Sequence, residues 1–194
     1  MRRALARAWL RMMGWEPEGE APTAERFVLI AAPHTSNWDL IYLLAFAELY
    51  GVRVSWMGKH QLFRPPLGAL FRALGGIAIR RHERGDRVAL MAEEFASRER
   101  FALVVPTEAT RGWTPHWKSG FYHIARRAEV PIVMGFLDYQ RRRGGFGPAL
   151  LASGDVKRDM DQVRAFYTDK VGKYPEKFGP VQLREEEPAA PAAL

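Results

Sequence analysis

The 194-residue chain contains no cysteine, which excludes disulfides, thiolate metal sites and a cysteine nucleophile. Its five histidines are scattered, so a zinc site is not expected; separately, no permanently bound cofactor is expected. No apolar run approaches the roughly 18 residues of a membrane span, and the N-terminus lacks the long apolar core and small-residue cleavage site of a secretion signal. A cytoplasmic protein is therefore expected. Acidic residues are in deficit: 29 Lys and Arg against 22 Asp and Glu leave a formal charge of +7. Most of the basic residues are arginine, which points to anionic partners such as phosphates, a lipid surface or nucleic acid. Nucleic acid ranks last of these, because no helix-turn-helix, zinc or RNA-binding motif is present.

The apolar content of 47% is ordinary for a folded domain, and no linker interrupts the middle of the chain. The expectation is an α/β protein, a single-domain mixed sheet flanked by helices, over residues 24–184. An N-terminal helix and connector (1–23) precede it and a disordered tail (185–194) follows. The first fifteen residues set Arg3, Arg7 and Arg11 at helical spacing beside Leu5, Ala8, Trp9 and Met12. This is a basic amphipathic helix, suited either to a membrane interface or to packing on the domain. Residues 16–23, with two prolines, a glycine and three acids, read as an exposed connector.

Apolar runs at 27–32, 52–57, 77–79, 101–105 and 130–137 read as strands. Helical spacing appears at 40–50, at 61–74 with a break at Pro65-Pro66, at 86–98, at 121–129 and at 159–171. Arg141 to Gly145 reads as a hairpin or loop tip. Ionisable residues recur where strands end: His34 and Asp39, Lys59 and His60, Arg80 and Arg81, and Glu108 with Arg111. Ligands of open α/β sheets bind beyond the carboxyl ends of the strands, so these four clusters fit one rim.

The stretch Pro33-His34-Thr35-Ser36-Asn37-Trp38-Asp39 is the most pointed of them. On a regular helix five residues turn through roughly 500°, so His34 and Asp39 would face apart if both were helical. They meet if His34 sits in the turn and Asp39 in the first helical turn, where the helix dipole favours an acid. An Asp holding one imidazole nitrogen leaves the other as a base. A capped turn with a surface histidine is the alternative reading of the same residues.

Taken together, the clusters resemble the glycerophosphate and lysophosphatidate acyltransferases, in particular their short bacterial branch. The His-x4-Asp block is matched by His34 and Asp39, and the glycine-strand-arginine block by Gly75, Ile77, Ile79 and Arg81. The Pro-Glu-Gly-Thr-Arg block is matched by Thr107, Glu108, Ala109, Thr110 and Arg111, and the Val-Pro-Ile block by Val130, Pro131 and Ile132. The resemblance implies a peripheral membrane enzyme on the cytoplasmic face. It would transfer a fatty acyl group from acyl-CoA or acyl carrier protein to a lysophospholipid hydroxyl, with 1-acyl-glycerol-3-phosphate as leading acceptor. His34 would be the general base and Asp39 its partner, while Arg81, Arg111, Thr110, Glu108 and Lys59 would bind the acceptor, with a structural brace of the loop as the alternative role of Glu108. Phospholipid biosynthesis is the implied setting and an anionic membrane surface a partner. A lyso-aminolipid acceptor, a catalytically weak lipid-binding relative, and a covalent route through Ser36 are the alternatives. Two positions depart from the pattern: Ala109 stands for glycine, where a side chain would strain a positive-φ turn or narrow the acceptor pocket, and Thr107 stands for proline, which would loosen the loop.

Overall fold

The computed structural model describes residues 1–79 and 87–187. Arg80 and Arg81 therefore lie outside the described residues, as do 188–194. One seven-stranded sheet runs through the molecule in the order β1-β7-β6-β2-β5-β3-β4. Its strands are β1 (Glu16–Glu18), β2 (Arg26–Ala32), β3 (Val54–Lys59), β4 (Gly76–Ile79), β5 (Phe101–Pro106), β6 (Ile132–Asp138) and β7 (Arg143–Leu150). Among the described residues, only the β6–β7 pairing is antiparallel; the other strand pairings are parallel.

β2 is central because it is apolar on both faces. Val28, Leu29 and Ile30 are fully buried, as expected of a parallel strand covered by helices on each side. The period-two alternation separates two cores. Val28, Ile30, Leu103, Ile132 and Met134 pack beneath α4 (Arg87–Ala96), α5 (Gly120–Ala128) and α6 (Val156–Tyr167). On the other face, Phe27, Leu29, Trp56, Val104 and Phe146 pack with Ala47 of α2 (Trp38–Tyr50), and with Phe63 and Phe71 around α3 (Gly68–Ala73). Crossovers from β2, β3 and β5 all start at the same sheet edge, which brings residues 33–39, 59 and 106–111 to one rim.

The N-terminal helix α1 (Arg2–Met12) docks on α2 through a third cluster of Leu10, Trp15, Tyr42, Phe46 and Leu137. Its outer side still presents Leu5 and Met12, 64% and 74% exposed, beside exposed Arg3, Arg7 and Arg11. Packing on the domain and a basic, apolar outer edge thus coexist in one helix.

Five sequence expectations differ from the structure. The connector is not wholly free: Glu16–Glu18 pairs with β7 at the sheet edge, where Pro17 needs no ladder donor. The presumed loop tip continues into β7, whose glycines disguise it. They serve close packing, since a Cβ on Gly144 would lie 2.4 Å from the Phe46 ring and one on Gly147 2.3 Å from Phe166. The second strand begins two residues late, at Val54. The last helix begins early, at Val156, because Asp155 caps it by accepting from the Arg158 N–H. The beginning of the expected tail is folded: Arg184–Glu186 forms a 3-10 turn, tied down by Arg164–Glu186 and His116–Glu187 pairs.

Candidate active site

β2 ends at Ala32, and the chain turns through residues 33–37 before α2 begins at Trp38. Asp39 closes this turn. Its Oδ2 accepts the backbone N–H groups of Thr35 and Ser36, both at 2.9 Å, and lies 3.2 Å from His34 Nδ1. The helix start is thus secured from inside by Asp39, while Ser36 Oγ accepts the Trp38 N–H at 3.2 Å. No Asn37 side-chain cap forms. Because a carboxylate only accepts, the contact assigns the proton to Nδ1 and leaves the lone pair on Nε2.

The loop after β5 braces the histidine from below. Glu108 is only 2% exposed. Its Oε1 accepts the His34 backbone N–H at 2.8 Å, and its Oε2 accepts the Thr107 hydroxyl at 3.1 Å. Thr107 therefore ties the loop with a hydrogen bond that proline has no group to make. Ala109 adopts φ 55°, the left-handed conformation for which glycine is suited, at a cost of roughly 1–2 kcal/mol. The turn geometry survives the missing glycine, and the strain is local.

In front of His34 opens a cavity of about 680 Å³, within the usual range for small-molecule sites. His34, Asn37, Asp39, Lys59, Thr110 and Arg111 contribute its polar lining. Leu43, Phe46, Trp56, Phe71, Leu137 and Phe146 give it apolar walls between α2 and the sheet. Of the acceptor-binding residues expected from sequence, Lys59, Thr110 and Arg111 thus share one chamber with the His-Asp pair. Glu108 does not line it, and Arg81 falls outside the described residues. Among the described residues, no group of His, Asp or Glu is placed to hold a metal.

The acyltransferase family model matches residues 17–134. The chain belongs to the acyltransferase family. This acyltransferase is also similar in fold to the crystal structure of the 1-acyl-sn-glycerophosphate (LPA) acyltransferase PlsC from Thermotoga maritima. The TM-score is 0.58 at 14% identity, over 84% of this chain and 73% of that one. No curated protein matches it in sequence. The single mixed α/β domain anticipated from the sequence is the one the acyltransferase adopts.

One residue of the candidate site lies outside the sequence blocks. Tyr139, the first residue past β6, donates its hydroxyl to Asp39 Oδ1 at 2.6 Å. The strand-end rule applied to β6 would have found it, since β6 is hydrogen-bonded to β2 and ends at the same rim.

Burial pushes the Glu108 carboxyl above its usual range, against the opposing effect of its hydrogen bonds. The native state therefore keeps this proton longer than the unfolded chain, and stability falls as pH rises through the folded value. Glu108→Gln keeps an acceptor for His34 N–H and cannot ionise. It should melt above wild type at neutral pH, and the difference should vanish below pH ~4, where the ordinary carboxyl is also protonated. Thermal unfolding across pH 4–8 checks this.

Proposed function

We propose that this acyltransferase moves a fatty acyl group from a thioester, acyl-CoA or acyl carrier protein, to the free hydroxyl of a lysophospholipid, with 1-acyl-glycerol-3-phosphate as leading acceptor. The observation that carries the reading is a single cavity joining the His34–Asp39 pair, two cations and apolar walls. The acceptor hydroxyl oxygen attacks the thioester carbonyl while His34 Nε2 takes its proton. The tetrahedral intermediate expels the thiolate, which recovers the proton from the imidazolium, and the products are an ester and a free thiol. Asp39 fixes the tautomer and supports the transient imidazolium charge.

Arg111 and Lys59 supply positive charge where an acceptor phosphate would lie, and the resemblance adds Arg81. The apolar walls suit an acyl chain. Ser36 is poorly placed as a nucleophile, because its residue is buried and its Oγ caps Trp38. Glu108 acts as a brace for His34, not as a ligand of the acceptor.

Peripheral membrane attachment on the cytoplasmic face belongs to the same proposal. Among the described residues no helix is long and apolar enough to cross a membrane. Yet Trp38, Ile41, Leu62, Leu67 and Leu70 are exposed on the helical side of the sheet that holds the cavity, and Ile41 and Leu62 also line it. A lysolipid entering from a bilayer would need such an apolar rim.

Arg111→Ala tests the phosphate role. Losing a charge-assisted hydrogen bond, worth roughly 1.5–3 kcal/mol, should raise KM for lysophosphatidate about ten- to a hundredfold. A neutral monoacylglycerol should be affected less than about threefold. Equal losses on both acceptors would contradict the assignment.

A further inference from the structure

Asp39 is held more tightly than capping a turn requires. Oδ2 already serves two backbone N–H groups and His34, while Oδ1 points the other way, onto the Tyr139 hydroxyl. That phenol comes from a residue one hundred positions away and is fixed from several sides. The Tyr139 ring stands edge-on to Trp15 at 4.9 Å and 89°, and to Tyr42 at 5.9 Å and 87°. Trp15 in turn lies 4.4 Å from Tyr42, and Trp9 of α1 covers Tyr42 at 5.1 Å. The Tyr139 backbone N–H donates to the Val171 carbonyl at 2.8 Å. An aromatic pile built from α1, its connector, α2 and the end of β6 thus delivers one hydroxyl to one carboxylate oxygen.

We propose that Tyr139 is a positioning residue of the acyl-transfer reaction: it locks the rotation of the Asp39 carboxylate so that Oδ2 stays on His34 Nδ1, and it shares the carboxylate charge that governs how readily Nε2 takes a proton. Two features make it fit for the task. Burial, followed by the bond to Asp39, drives the phenol pKa far up, so it remains a donor at every working pH. Its ring also has little freedom to turn, so the hydroxyl direction is set by packing before substrate arrives. The inference rests on His34 acting as the base.

The test is thiol release from a long-chain acyl-CoA with lysophosphatidate as acceptor, measured across pH for wild type, Tyr139→Phe, Tyr42→Phe and His34→Ala. The ionisable groups around the pair are Tyr42 from α2, Tyr174 from the C-terminal segment and Glu108 from the loop after β5, with Lys59 and Arg111 across the cavity. All of them survive in Tyr139→Phe. That variant keeps the ring and should keep the melting temperature within a few degrees. Its kcat should fall about tenfold, equivalent to about 1.4 kcal/mol, with KM for both substrates within about twofold. The acidic limb of kcat/KM should move to higher pH, because an Asp39 charge no longer shared with the phenol favours the imidazolium. Tyr42→Phe, which also loses a hydroxyl from the pile, should change neither quantity. An unmoved acidic limb in Tyr139→Phe, or the same changes in Tyr42→Phe, would overturn the proposal and reduce Tyr139 to packing. Activity that persists in His34→Ala would instead overturn the base assignment, so the two failures are distinct.

Discussion

Replacing His34 with alanine should lower kcat for acyl transfer by roughly 10²–10⁴, the usual contribution of a positioned general base, while leaving the fold intact. The second half of that expectation follows from which contacts the imidazole makes. The bond from residue 34 to Glu108 comes from the backbone N–H, so it persists in the variant. Asp39 loses one partner and keeps three, the Thr35 and Ser36 N–H groups and the Tyr139 hydroxyl. No buried polar atom is left without a partner, so the stability change should stay near 1 kcal/mol. Removing Asp39 instead would strand two backbone donors and a phenol in a buried turn, confounding chemistry with folding. His34 is therefore the cleaner position. The measurement is kcat at saturating donor and acceptor, beside the unfolding midpoint. A variant within tenfold of wild type would remove the base from the mechanism.

Leu43→Trp should narrow the range of acyl chains accepted. Leu43 lies one helical turn beyond Asp39 on the α2 face that lines the cavity, so an indole there occupies space just past the reacting carbonyl. Burial stabilises a chain by about 0.8 kcal/mol per methylene. Excluding four methylenes therefore costs about 3 kcal/mol, roughly a hundredfold in kcat/KM for a long-chain donor. A short-chain donor that never reaches position 43 should lose less than about threefold. Since Leu43 is only partly buried, the larger side chain enters open space and stability should change little. Parallel kcat/KM series over donor chain length for the two proteins decide it. An equal loss at every length would place the chain elsewhere.

Elements whose character is local were legible before the fold was known. β2 announces itself as an unbroken apolar run because both its faces are buried, and the turn after it is signalled by a rim of polar residues at a strand end. Helix geometry allowed a His34–Asp39 contact on one condition, one residue in the turn and the other in the first helical turn, and the structure meets that condition. Pieces created by long-range packing were not legible. β7 reads as a glycine-rich loop because Phe46 and Phe166 occupy the space of its missing side chains, and neither partner is near in sequence. β1 reads as a linker until β7 gives it an edge to pair with. In sequence Glu108 reads either as a ligand of the acceptor or as a brace of its loop, and the fold turns its carboxylate inward, onto His34 N–H. Tyr139 stands at a strand end, where polar residues gather, but its partner lies one hundred residues away, so only the fold shows the contact with Asp39. At Ala109 sequence foresaw the positive φ, but not that the backbone would adopt it without glycine.

Acyl transfer to a lysophospholipid is tested most directly by thiol release from a long-chain acyl-CoA by the wild-type protein, with and without lysophosphatidate in detergent micelles or anionic liposomes. Release should depend on the acceptor and be matched by one phosphatidate formed per thiol. Thiol release that is indifferent to lysophosphatidate and to other lysolipids, with no new ester formed, would contradict that reaction.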